Sequence, residues 1–135
     1  MAYWLVKSEP TTYSIDRLKA EKSTVWDGVR NYAARNNLRA MKKGDQVLFY
    51  HSVTDPAIVG IATVSKEAYA DPTAEGDTWS VVELTFKKKL KSPIALAAVK
   101  ADKKLAGMDL LRLGRLSVQV VRPEEWEHIL NLAER

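Results

Sequence analysis

Trp26 opens a polar run, Trp26-Asp27-Gly28-Val29-Arg30-Asn31, without the apolar alternation of an ordinary strand. A tryptophan so placed offers a flat face on which a planar ring can stack, whereas Trp4, Trp79 and Trp126 read as core residues. Lys7-Ser8-Glu9-Pro10 follows directly on a short apolar segment. Ser8 and Glu9 could present hydrogen-bonding groups at an exposed strand end, or could simply cap or turn the chain. Asn31 carries both a donor and an acceptor, and it stands where it could equally N-cap a helix. Tyr50-His51-Ser52 ends another apolar run, and strand alternation sends His51 to the face opposite Tyr50 and Ser52. Arg115 and Ser117 share a face of a late strand, and Arg30 and Arg35 flank a helix. Arginine forks match phosphate oxygens, and Lys7 could meet a phosphate as a point charge.

The same residues argue against catalysis. The chain has no cysteine and two histidines, His51 and His128. Disulfides and thiolate zinc sites are thereby removed, and neither a metal nor a cofactor is expected. A zinc deaminase would lack its ligand set. Neither histidine sits in a nucleophile motif, which leaves a Ser8–His51 pair as the one hydrolytic arrangement to weigh. His128, next to the core stripe of the last helix, reads as a surface residue.

The elements that must position these groups can be read from pattern. Tyr3-Trp4-Leu5-Val6 is a buried first strand. Ser14 caps a turn of helix carrying Ile15 and Leu18. Ala34, Leu38 and Met41 fall on one face of a helix over residues 31–43, which Gly44 can stop in the left-handed conformation. Gln46–His51 and Ile58–Ser65 form a hairpin about Thr54-Asp55-Pro56, and Trp79–Lys89 is a third long strand. Ser92-Pro93 predicts a helix over Ile94–Lys100. Leu116–Val121 is a strand, and Arg122-Pro123-Glu124-Glu125 opens a last helix with Trp126, Ile129, Leu130 and Ala133 on its core face. The linkers are mostly too short for parallel crossovers. The expectation is an α+β fold, a curved mixed sheet or small barrel with peripheral helices.

At 135 residues the chain has room for one domain, spanning 1–135. Its net charge of +4 is unevenly spread. Residues 1–45 carry nine basic and five acidic groups and residues 87–122 carry ten and two, while residues 46–86 carry one and six. Basic segments separated by an acidic one suit a face turned toward a polyanion. No run approaches the roughly 18 apolar residues of a membrane span, and no signal peptide is evident. The expected location is the cytoplasm, at the nucleoid in a bacterium, and the expected state is a monomer. The run Lys87-Lys88-Lys89-Leu90-Lys91 resembles a nuclear localisation signal but reads better as the end of an edge strand.

A set of longer words adds to this. They are Trp4-Leu5-Val6-Lys7-Ser8-Glu9-Pro10, Val25-Trp26-Asp27-Gly28-Val29-Arg30-Asn31-Tyr32 and Ala33-Ala34-Arg35-Asn36. Gly44-Asp45, Phe49-Tyr50-His51-Ser52, Gly60-Ile61-Ala62, Arg115-Leu116-Ser117-Val118 and Glu125-Trp126 follow in order. In this spacing the chain resembles the EVE domain family over essentially its whole length. The resemblance implies a PUA-like mixed β-barrel or pseudobarrel related to YTH and ASCH domains. It also implies binding to nucleic acid that carries methylated or hydroxymethylated bases. Two positions depart from the family pattern: Ala34, where glutamine is commoner, and Val120, where proline is commoner.

A reader of such bases must hold a flat ring out of its stack and sense a small added group. The first task calls for an aromatic face, worth about 1–3 kcal/mol per stacked base. The second calls for a snug wall and polar groups on the base edge. Trp26, similar in position to a cage tryptophan of YTH domains, is the stacking face under this reading. Ser8, Glu9, Asn31, His51 and Ser117 complete the nucleobase pocket, and Lys7, Arg30, Arg35 and Arg115 approach phosphates. DNA is the favoured partner. An RNA-binding or RNA-modification accessory module is the alternative, ahead of a peptide- or metabolite-binding cleft or a hydrolase.

Overall fold

Alternation along the strands decides which residues line which face of the sheet. The computed structural model describes residues 1–134. Six strands form one mixed sheet in the order β2-β5-β4-β3-β1-β6. They are β1 (Tyr3–Ser8), β2 (Ser23–Trp26), β3 (Gln46–His51), β4 (Ala57–Ala70), β5 (Ser80–Ala95) and β6 (Val118–Val121). β1 and β3 run parallel, and every other neighbouring pair is antiparallel.

Trp4, Val6, Val47, Phe49, Ala62, Val64, Val82, Leu84 and Val118 share one core with Ile15 and Leu18 of helix α1 (Ile15–Glu21). Ala34 and Leu38 of helix α2 (Tyr32–Ala40) join the same core. The residues between them, Leu5, Leu48, Tyr50, Ile58, Ile61 and Val121, face the other way into a second core. Helices α3 (Leu96–Ala101), α4 (Asp109–Arg112) and α5 (Pro123–Ala133) cover that side. Each fully buried side chain of this size contributes about 1.5–3 kcal/mol, so both faces are well secured.

α2 closes the sheet on itself. Asn37 Nδ2 donates to the carbonyl of Val118 on edge strand β6 at 2.7 Å, and Arg39 Nε donates to Ser80 Oγ on β5 at 2.9 Å. The result is a pseudobarrel with a helix in its seam. In the same core, α1 packs so closely on β4 that a Cβ at Gly60 would stand 2.5 Å from Ile15 Cδ1. Only glycine allows that approach.

Several sequence expectations are corrected here. The helix expected over 31–43 ends at Ala40, because Met41 turns extended, and the left-handed Gly44 serves the turn into β3 instead. The helix expected over Ile94–Lys100 is present but starts only at Leu96, and Ser92-Pro93 does not open it: β5 continues through Ala95, which pairs with Ala57. The ladder slips between Ile58 and Gly60, so Pro93 falls in an irregular stretch where its missing N–H costs no bond. β6 begins at Val118, so Arg115 and Ser117 lie in the turn before the strand. Trp79 is half-buried on a loop, stacked on Tyr32, and joins neither core. Lys87–Lys91 lie past the end of the β2 pairing at Thr85, where β5 has no strand on that side. His128 is half-buried and bonded to Asp102 at 2.6 Å.

Candidate nucleic-acid interface

The cleft is built by turns that spend their polar groups on one another. Ser14 is extended and its hydroxyl accepts the Arg17 N–H, which starts α1. Ahead of it, Thr12 and Tyr13 both donate their N–H to the Glu9 carbonyl, and Ser8 Oγ donates to the Tyr13 carbonyl at 2.7 Å. This folded loop sets the Tyr13 ring against Trp26, with centroids 6.2 Å apart and planes at 85°. Phe49 meets Trp26 from the core at 5.6 Å and 83°. Tyr13 donates its O–H to Glu21 Oε1 at 2.8 Å, and Arg17, paired with Glu21 at 3.0 Å, lies 5.0 Å from the Tyr13 ring centre.

A buried carboxylate holds the opposite wall. Asp71 is 1% exposed and takes hydrogen bonds from Gly28 N, Arg30 Nη1, Thr73 N and Thr73 Oγ1. Gly28 has φ +77°, a conformation that glycine adopts without strain, and so lets the chain leave β2 toward Asp71. Burial by itself would raise the Asp71 pKa. The Thr73 hydroxyl, the Arg30 guanidinium and the N–H groups of Thr73 and Gly28 outweigh it and hold the carboxyl well below the usual range. Asp71 is therefore ionised and fixed, and it fixes Arg30.

Between these walls lies a cleft of about 670 Å³, the size of a small-ligand pocket. Its lining includes Tyr13, Trp26, Lys7, Ser8, Glu9, Asp27, Arg30 and Ser117. Lys7 Nζ donates to the Gly114 carbonyl at 2.6 Å, and burial pushes its pKa down. The carboxylates of Glu9 and Asp27 make no ion pair among the described residues.

Six of the ten residues singled out from the sequence thus meet in one cleft: Lys7, Ser8, Glu9, Trp26, Arg30 and Ser117. The other four lie outside its lining. Asn31 N-caps α2, with Oδ1 accepting the Ala34 N–H at 2.9 Å. His51 Nε2 accepts the Ile15 N–H at 3.1 Å, and its ring lines a separate groove of about 800 Å³ with Pro10, Pro56, Pro93 and Leu96. Arg35 donates to the Thr78 carbonyl and lies 4.9 Å from the Tyr32 ring centre. Arg115 is exposed. Ser8 and His51 each spend their bond on backbone, so no nucleophile–base pair forms between them. Ala34 is fully buried in the core, away from the lining, and Val120 is exposed on β6.

Sequence reasoning missed Tyr13, Asp27 and Asp71. Tyr13 has no periodic neighbours that would mark it. Asp71-Pro72-Thr73 has the composition of a loop, where aspartate bonds the backbone two residues on, but its reach back to Gly28 and Arg30 is tertiary. Among the described residues no cluster of His, Cys, Asp or Glu could hold a metal ion, and no helix is long and apolar enough to cross a membrane.

A six-stranded mixed sheet closed by a helix is a PUA-like pseudobarrel. Residues 2–132 match the EVE domain model, and the chain belongs to that family. It is 39% identical to thymocyte nuclear protein 1 of Homo sapiens, across 99% of this chain and 75% of that protein. Among solved structures, human THYN1 protein in complex with 5-methylcytosine-containing DNA superposes with a TM-score of 0.93. The two are 37% identical, over 100% of this chain and 99% of that one. A Rhodopseudomonas palustris protein solved by NMR superposes at 0.95 with 44% identity, over 99% and 94% of the respective chains.

Proposed function

We propose that this protein is a non-catalytic reader of DNA carrying a modified base, with 5-methylcytosine as its first ligand. The observation that carries the reading is the human relative held with 5-methylcytosine-containing DNA, alike in fold over the whole chain. The cleft adds chemical support. Trp26 and Tyr13 supply aromatic walls for a base taken out of its stack. Glu9 and Asp27 supply acceptors for the exocyclic amine of cytosine. Lys7, Arg30 and Arg115 serve the phosphates on either side. Asn31 and His51 are left out of the base-reading set, because their polar atoms are committed to α2 and α1.

Magnitudes bound the selectivity. Enclosing one methyl group is worth about 1–3 kcal/mol, a preference of roughly 10- to 200-fold over unmodified cytosine. The test is fluorescence-polarisation binding to short duplex and single-stranded DNA, with and without 5-methylcytosine, at two salt concentrations. A preference of about tenfold or more that vanishes in Trp26→Ala supports the reading. Equal, salt-sensitive binding to both oligonucleotides overturns it.

A further inference from the structure

Beside the cleft, and outside it, stands an aromatic pair that neither core requires. Tyr32, the first residue of α2, is 62% exposed. Its ring stacks on Trp79 with centroids 5.1 Å apart and planes at 30°. Arginines surround the pair: the Arg35 guanidinium carbon lies 4.9 Å from the Tyr32 ring centre and that of Arg30 lies 5.7 Å from the Trp79 ring centre. Arg35 donates to the Thr78 carbonyl, and Arg39 donates to the carbonyls of Asp77 and Thr78. These bonds tie the loop that carries Trp79 to α2, so the rings are held in place before any ligand arrives. Arg35 and Arg39 form no ion pair with a carboxylate among the described residues, whereas Arg30 is paired with Asp71, so two guanidinium groups of the patch keep their charge unpaired.

We infer that Tyr32 and Trp79 form a second stacking platform, which takes the nucleotide neighbouring the one in the cleft. The inference rests on the reading of the cleft as a nucleobase site. Continuity argues for it: Arg30 lines the cleft and also stands against Trp79, so one side chain borders both places. Charge argues for it as well. Each nucleotide step brings a phosphate, and this patch joins arginines to open aromatic surface, the combination that single-stranded nucleic acid favours. A tyrosine that served only to secure α2 would gain more by burying its ring, and this one leaves most of its surface to solvent. The platform supplies affinity without base identity, because every base presents a similar face. It holds the flanking strand while the cleft inspects the modified base.

The test is a double-mutant cycle on single-stranded DNA with a central 5-methylcytosine. One arm is Tyr32→Ala. The other replaces the base on either side of the 5-methylcytosine, in turn, with an abasic residue. Tyr32→Phe, which keeps the ring, serves as control, and thermal unfolding verifies that each variant folds. Each change alone is expected to weaken binding about tenfold, and on one side of the modified base the two together should cost little more than either. Additive losses on both sides, or an affinity for Tyr32→Ala within about twofold of wild type, would overturn the platform.

The unmodified oligonucleotide separates the two claims. Equal wild-type binding with and without the methyl group, lost alike in Tyr32→Ala, would retain the platform and remove the modified-base reading. A wild-type preference for the methylated strand, with Tyr32→Ala binding both strands as tightly as wild type, would do the reverse. No binding of either strand would remove both.

Discussion

Two corners of the barrel use the same device, a nearly buried aspartate that gathers hydrogen bonds. At the corner between α2 and β3, Asp45 accepts from Trp4 Nε1, Ala2 N and Lys42 N. At the corner between β4 and β5, Asp71 accepts from Gly28, Arg30 and Thr73. Burial opposes ionisation at both, and the donors outweigh it at both, so each carboxyl titrates below its ordinary range. They differ in what they hold. Asp45 anchors a core tryptophan through neutral donors, whereas Asp71 anchors a cation and a turn that form a cleft wall. The lesson is that a buried carboxylate reports organisation, and only its clients tell whether the organisation serves stability or a ligand.

That contrast can be broken by substitution. Asp71→Ala and Asp45→Ala should each cost about 3 kcal/mol of unfolding free energy in urea, because buried donors lose their acceptor. Only Asp71→Ala should also weaken 5-methylcytosine DNA binding by tenfold or more, measured at a temperature where both variants are folded. A matching loss in Asp45→Ala would erase the distinction between the corners. Trp26→Ala comes next, with about a tenfold loss of affinity from the missing stacking face. Its partial packing on Phe49 predicts a smaller loss of stability than a fully buried tryptophan would give.

Acid titration sharpens the comparison further. His51 is neutral while it accepts the Ile15 N–H. Burial pushes its pKa down, with Asp16 opposing and Lys89 adding to the shift. The unfolded chain therefore takes up this proton first. The stability His51 provides is complete above about pH 6.5 and is lost as pH falls through its lower folded value. The melting temperature should drop by a few degrees over that window, and His51→Phe should remove this step. The contribution of the two aspartates is present above about pH 4 and is lost only in stronger acid. A single merged transition near pH 4 would show that His51 does not titrate separately. The smallest effect belongs to exposed Arg115, whose change to Ala should lower affinity for all sequences alike. It should also reduce the slope of log affinity against log salt by about one.

What was legible from the sequence depended on range. Ser14, Asn31 and the alternation through β1 and β3 act within a few residues, and each was readable as a cap or a strand. β2 was not, because an edge strand four residues long with alternate residues exposed carries too little apolar signal. Pro93 misled because beside a serine it has the form of a helix start, and nothing nearby reveals the slipped ladder that accommodates it. Trp79 looked like core because large aromatics usually are, and its actual partner stands 47 positions away at Tyr32. In the cleft, residues carried by the long family-like words could be named. Tyr13 and Asp71 could not, since their roles arise only when distant turns meet.

The helix in the seam has a further consequence. Where other barrels close strand to strand, this one relies on side-chain clasps such as Asn37 on Val118 and Arg39 on Ser80. A clasp can slip without the sheet unravelling, and edge backbone that it leaves bare is a template for another chain. Lesions in α2 should therefore show themselves first as self-association on storage, before any secondary structure melts.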